Sequence, residues 1–123
     1  MAIARIGSVT LDCDDPVRLA AFWSAMLDGV LTHSSPKYAC VRAGSMVVTA
    51  LRVPDHRPPP WPDDDIPKQM HLDLVVDDLD EGVAEAVRLG ARLASEQFAP
   101  HLCRTLFDPA GHPFCVCLDR APF

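Results

Sequence analysis

Along residues 8–15, SVTLDCDD, polar and apolar positions alternate: Val9, Leu11 and Cys13 fall between Ser8, Thr10 and Asp12. A two-residue period puts successive side chains on opposite faces, so this segment predicts a half-buried β-strand. The period then changes. Leu19, Phe22, Trp23, Met26 and Leu27 recur three and four apart, the spacing of one apolar stripe on an α-helix. Asp15 suits the N-cap of that helix, Pro16 its first position, and Gly29 its close. Three short strands are expected next, at about residues 30–34, 37–42 and 45–53.

The same arrangement returns 63 positions later. Residues 71–78 read HLDLVVDD, and Leu74, Asp77 and Asp78 stand where Leu11, Asp14 and Asp15 stood. A strand is expected at about 69–76. Asp78 and Glu81 have the spacing of a capping box, Leu79, Val83, Ala86 and Val87 share a helix face, and Gly90 is the C-cap. Strands should follow near 91–96, 102–107 and 113–118. Ala43-Gly44 and Ala110-Gly111 mark matching turns in the two halves. The order is therefore βαβββ twice, with module one at 1–53 and module two at 69–123, expected to form a single domain over 1–123. The joint, residues 54–68, contains six of the twelve prolines. Proline lacks the N–H that a ladder needs, so this reads as an extended, stiff connector. Trp61 within it is expected to pack back over the core, and Asp63–Asp65 to be solvated.

Composition narrows the function. The chain is 49% hydrophobic, enough for a core, and carries a net charge of −6 with a pI near 5.1. That balance argues against nucleic acid, whose binders need a cationic face. No apolar run is long enough for a membrane span. The first ten residues lack the apolar stretch of a secretion signal, which points to the cytoplasm. Cys13, Cys40, Cys103, Cys115 and Cys117 form no Cys-x-x-Cys pair and are expected to be free buried thiols in that reducing compartment.

Three stretches, VTLDCDDPVRLAAFW, HLDLVVDDLDEGVAEAVRLGA and LFDPAGHPFCV, carry a family likeness. The chain resembles the vicinal oxygen chelate superfamily, which includes glyoxalases, bleomycin resistance proteins and dioxygenases. The resemblance implies an α+β fold in which two βαβββ modules form a curved, mostly antiparallel open sheet around a cavity, helices outside. It also implies pairing into homodimers. Catalytic members hold one divalent metal with His, Gln or Glu side chains from the first and last strands of each module. The metal acts as a Lewis acid on adjacent substrate oxygens. Transferred residue by residue, that pattern is mostly lost here. His71 retains its ligand position, but Ser8 stands at the equivalent place in module one. Leu51 replaces a Glu or Gln, and residues 44–51 contain no Asp, Glu, His, Gln or Asn. Cys115 stands where the last strand should supply Glu. A catalytic site needs about three protein ligands and an open position, so no metal cofactor is expected. If one binds, His71 with Cys115 or Asp12 would hold it.

Strand parity places Ser8, Thr10 and Asp12 on one face, His71 and Asp73 on another, and Cys115 with Cys117. Together with Leu51 and Thr105 they make the candidate ligand-binding set: Ser8, Thr10, Asp12, Leu51, His71, Asp73, Thr105 and Cys115. The cysteines read as small buried hydrophobes and His71 as a hydrogen-bonded pocket histidine. Asp12 and Asp73 are expected against a wet cavity, because a carboxylate inside a sheet must be paired or solvated. His112 is expected to be exposed and structural. No Gly-x-Ser-x-Gly, Gly-rich phosphate loop or His-Glu-x-x-His occurs. The expected function is binding of a small organic molecule without a catalytic metal, with cation-bearing compounds suiting the acidic lining. The alternative is a metal-dependent or acid/base lyase, isomerase or dioxygenase centred on His71, the best catalytic candidate. A third reading, a partner-binding module using the connector and Trp61, has weaker support.

Overall fold

The structure is a computed structural model describing residues 2–121. The chain divides between Arg57 and Pro58 into two compact units, each a βαβββ module. The first consists of β1 (Val9–Cys13), α1 (Pro16–Leu27), β2 (Val30–Ser34), β3 (Tyr38–Ala43) and β4 (Met46–Arg52). The second consists of β5 (Leu72–Val75), α2 (Leu79–Leu89), β6 (Arg92–Leu93), β7 (Cys103–Phe107) and β8 (Pro113–Cys117). Each module carries its own four-stranded mixed sheet, ordered β1-β4-β3-β2 and β5-β8-β7-β6. In both, the first strand lies parallel to the last, and the other two ladders are antiparallel. The fold is α+β.

Local chemistry explains the elements. Asp15 accepts a hydrogen bond from the Arg18 N–H at 3.1 Å, and Asp78 one from Glu81 N–H at 2.9 Å, each satisfying an amide that the first helical turn leaves orphaned. Helix α1 ends one residue earlier than its glycine suggests: Asp28 takes the left-handed conformation, φ 49°. Gly29 is needed for a different reason, since a Cβ there would lie 2.6 Å from Val41 Cγ1. The apolar stripe Leu19, Phe22 and Trp23 is buried, and α1 packs on β3 and β4, whose Ala39, Val41, Val48 and Ala50 are buried in turn. In module two, α2 packs on β6, β7 and β8, and Ala86, Leu106, Phe114 and Val116 are buried.

Three features depart from the sequence reading. Strand β5 begins only at Leu72 because Gln69 adopts φ 69° and the Met70 N–H turns back onto Lys68 O at 2.8 Å. Strand β6 has two residues because a side chain takes over its ladder: Gln97 Nε2 donates to Ala94 O and Thr105 O, and Gln97 Oε1 accepts from the Thr105 N–H. Cys103 and Cys117 are joined in a disulfide rather than free, leaving Cys13, Cys40 and Cys115 as thiols. The thiol argument for a reducing compartment loses those two residues. No helix among the described residues is long and apolar enough to cross a membrane.

From Pro58 onward the connector belongs to the second unit. Trp61 is 7% exposed and clusters with Ala94 and Phe107, its ring 5.7 Å from that of Phe107. Asp63–Asp65 form an exposed 3₁₀ turn. The Asp-Pro-Ala-Gly-His turn between β7 and β8 is built around a buried carboxylate. Asp108 accepts from the Ala110 and His112 N–H groups at 2.9 and 3.0 Å, and from His112 Nδ1 at 3.0 Å. His112 is thus structural, but its side chain is largely buried, at 15% exposed, where exposure was expected. Gly111 has φ 91°, and a Cβ on it would overlap the Pro58 ring.

Replacing Asp108 by Ala strands two amides and an imidazole in a buried turn. It should lower unfolding free energy by about 2–4 kcal/mol, measured by urea denaturation. Gly111→Ala should also destabilise, through φ and the Pro58 contact. Wild-type midpoints in both variants would contradict this account of the turn.

Candidate functional site

The richest chemistry lies on the face of the module-two sheet opposite α2. Parallel pairing sets Asp73 directly beside Cys115, and antiparallel pairing sets Thr105 beside Cys115 and Cys103 beside Cys117. His71, two residues before Asp73, points to the same face. His71 Nε2 lies 3.3 Å from Asp73 Oδ1, with the side chains 30% and 35% exposed. Donor atoms of His71, Asp73 and Cys115 all lie within 4.8 Å of one another. Thr105 Oγ1 is 3.3 Å from Cys115 Sγ, and both residues are buried. Sequence separation hides this cluster; strand register creates it.

The thiol of Cys115 is held protonated. Burial pushes its pKa up, the Thr105 hydrogen bond pulls it down, and the negative charge of Asp73 pushes it up again. Lys68 pulls it down more weakly. That lysine, not singled out from sequence, seats its ammonium 4.3 Å from the Trp61 ring centroid and 3.8 Å from that of Phe98. Alternation in the connector gives no warning of such a cation–π contact.

Module one presents a different set. Ser8 Oγ and Thr49 Oγ1 are 2.7 Å apart, and Thr49 Oγ1 lies 3.7 Å from Cys40 Sγ. Thr49 was missed from sequence, though it shares the parity of Leu51. Thr10 and Asp12 are exposed on β1. Leu51 is exposed and, with Lys37, Arg52 and Pro54, lines an open hollow of about 420 Å³. Strand pairing also puts Asp12 and His33 on this face.

Residues 8–117 match the family described as the glyoxalase-like domain. The chain belongs to that family. No curated protein matches the sequence. Solved structures share the fold at low identity. The fosfomycin resistance protein FosX from Mesorhizobium loti aligns with a TM-score of 0.71 at 14% identity, over 94% of this chain and 92% of that one. A glyoxalase-related enzyme from Fulvimarina pelagi aligns at 0.69 and 17%, over 95% and 89%. A FosX mutant from Listeria monocytogenes, in complex with Mn(II) and 1S,2S-dihydroxypropylphosphonic acid, aligns at 0.70 and 14%, over 94% and 90%. These likenesses show that the glyoxalase-like protein shares the fold of those structures.

The glyoxalase-like cluster can be tested against a metal. His71, Asp73 and Cys115 offer one nitrogen, one oxygen and one sulfur. Mn(II) prefers oxygen-rich sites, and thiolate selects softer ions such as Zn(II). The sulfur must first lose a proton that burial and Asp73 favour keeping. Asp73 is also engaged by His71. The donor set does not suit Mn(II), and a softer ion would have to displace the Cys115 proton.

The raised thiol pKa has a sign. The folded state holds the proton more tightly than the unfolded chain, so this stabilisation is complete below the ordinary thiol range. It is lost as pH rises through the raised value. The stability difference between the native protein and Cys115→Ala should therefore shrink from pH 8 to pH 10, while Thr105→Val should carry that loss to higher pH. Urea midpoints across this range are the measurement; parallel curves would contradict the assignment.

Proposed function

We propose that this glyoxalase-like protein binds a small organic molecule and does so without a catalytic metal. The observation that carries the reading is the replacement of an acidic oxygen donor by the buried, protonated thiol of Cys115 beside Asp73. A neutral thiol cannot offset a cation's charge. What remains is a half-exposed His71–Asp73 pair. Its carboxylate can receive a cationic or hydroxyl-bearing group, and its imidazole can donate to or accept from a neighbouring atom. Apolar and weakly polar side chains around a few such groups are the usual composition of a ligand site.

The same cluster gives a second reading some support. Three metal-compatible donors within 4.8 Å reach the minimum for a catalytic zinc site with an open position. On that reading the protein is a lyase, isomerase or dioxygenase centred on His71.

Metal content of untagged protein separates the two. We expect much less than one equivalent of Zn, Mn, Ni or Fe by plasma mass spectrometry, and an unchanged melting temperature after EDTA dialysis. A thermal-shift panel of small organic cations should contain compounds that stabilise the protein, by about 2.7 kcal/mol at a hundredfold excess over Kd. His71→Ala should weaken that effect. One equivalent of metal that disappears in His71→Ala would establish the second reading instead.

The protein is also proposed to work as a cytoplasmic homodimer. Strand β2 is the last in its sheet, and Val30 and Leu31 on it are 57% and 49% exposed. An apolar terminal strand with unpaired amides is a ready surface for a second chain. Light scattering at micromolar concentration should give twice the 13.4 kDa chain mass, and Val30→Lys should shift it toward monomer. A monomeric native protein would rule this out.

A further inference from the structure

The disulfide lies on the same sheet face as the His71–Asp73–Cys115 cluster and has unequal ends. Cys117 is fully buried with Cys115 and Ala121, whereas Cys103, packed against the same cluster at the start of β7, is only partly buried. Their Cα atoms are 4.1 Å apart in directly opposed positions. The neighbouring Leu118 N–H donates to Leu102 O at 2.9 Å, so 103–117 is the close, non-hydrogen-bonded type of antiparallel pair. Cys117 Sγ is also 3.9 Å from Asp73 Oδ1. A sulfur in a disulfide has no hydrogen to place on that contact; a thiol does.

We infer that Cys103 and Cys117 form an exchange site for low-molecular-weight thiols and disulfides, and that their state sets the hydrogen bonding of Asp73. Opening begins with a thiolate RS⁻ at the sulfur of Cys103, the less buried of the two residues. The RS–Cys103 bond forms, the Cys103–Cys117 bond breaks, and the electron pair goes to Cys117 Sγ. An anionic sulfur beside the Asp73 carboxylate is unfavourable, so Cys117 Sγ takes a proton from water, leaving hydroxide, and the resulting thiol donates a hydrogen bond to the Asp73 carboxylate. A second RS⁻ attacks the bound RS sulfur and releases RSSR and Cys103, which is then protonated. Closure is the reverse: two protein thiols are oxidised while RSSR is reduced to two RSH. In the closed state Asp73 Oδ1 lies 3.3 Å from His71 Nε2 and also meets the Cys115 thiol. In the open state Cys117 competes for that carboxylate.

The exchange chemistry goes beyond ligand binding and does not depend on it. Equilibration of the native chain with mixtures of reduced and oxidised glutathione, followed by alkylation under denaturing conditions and mass analysis, provides the test. Accessible thiols should rise from three, Cys13, Cys40 and Cys115, to five as the mixture becomes reducing. The ring signals of His71 in NMR spectra should move between two positions in step. Cys117→Ala should capture one glutathione at Cys103 and hold His71 at its oxidised position. Cys103→Ala should capture none at Cys117 and hold His71 at its reduced position. If the native chain keeps three thiols, or keeps five, across the whole range of mixtures, the exchange site is refuted. Identical His71 signals in the two states would refute the coupling to Asp73.

Discussion

A parallel ladder between the first and last strands is the constraint on which each module depends. Residues 9–13 run beside 48–52, and 72–75 beside 114–117, in the same direction. A tight turn cannot join parallel neighbours, so the chain must leave the sheet and cross over it. Helices α1 and α2 provide that crossover and cover one face, which explains why Leu19, Phe22 and Trp23 are apolar and buried. Polar side chains are then left to the opposite face. The same ladder is what brings Asp73 against Cys115, residues 42 positions apart in the chain.

The two modules share this backbone logic and differ in how their second faces are finished. Strand β8 is buried throughout, because it lies between β5 and β7, α2 packs on it and Ala121 clusters with Cys115 and Cys117. Strand β4 keeps Met46, Leu51 and Arg52 exposed at its ends. Duplication preserved the hydrogen-bond pattern while the side chains diverged. One sheet face brings an imidazole, a carboxylate and a thiol within 4.8 Å of one another, and the other pairs Thr49 with Ser8 and Cys40. Family membership accounts for the first fact and leaves the second open, since one fold supports many chemistries.

Placing a thiol where a carboxylate would be expected changes the electrostatics of the whole cluster. Cys115 is neutral, so the carboxylate of Asp73 supplies the cluster's negative charge, with His71 Nε2 3.3 Å away. Lys68, held over Trp61 and Phe98, adds positive charge nearby without joining the pair. On the metal-free reading proposed above, such a face would orient a bound group and not polarise it.

Much of the fold was legible from short-range periodicity. The alternation at 8–13 and 71–75, the stripe at 19–27, and the Asp15 and Asp78 caps each depend on neighbours within a turn or a strand, so the sequence alone determined two βαβββ modules and the face each residue occupies. His71, Asp73 and Cys115 could be assigned to faces in the same way. Their convergence within 4.8 Å could not, because it requires the register of β5 on β8. The same holds for the Cys103–Cys117 bond, the Gln97 side chain that replaces a rung of β6, and the burial of His112 beside Asp108. Each of these is settled by which strand lies next to which and by what covers the result. Those are long-range choices made by the packed chain as a whole, and local spacing carries no record of them.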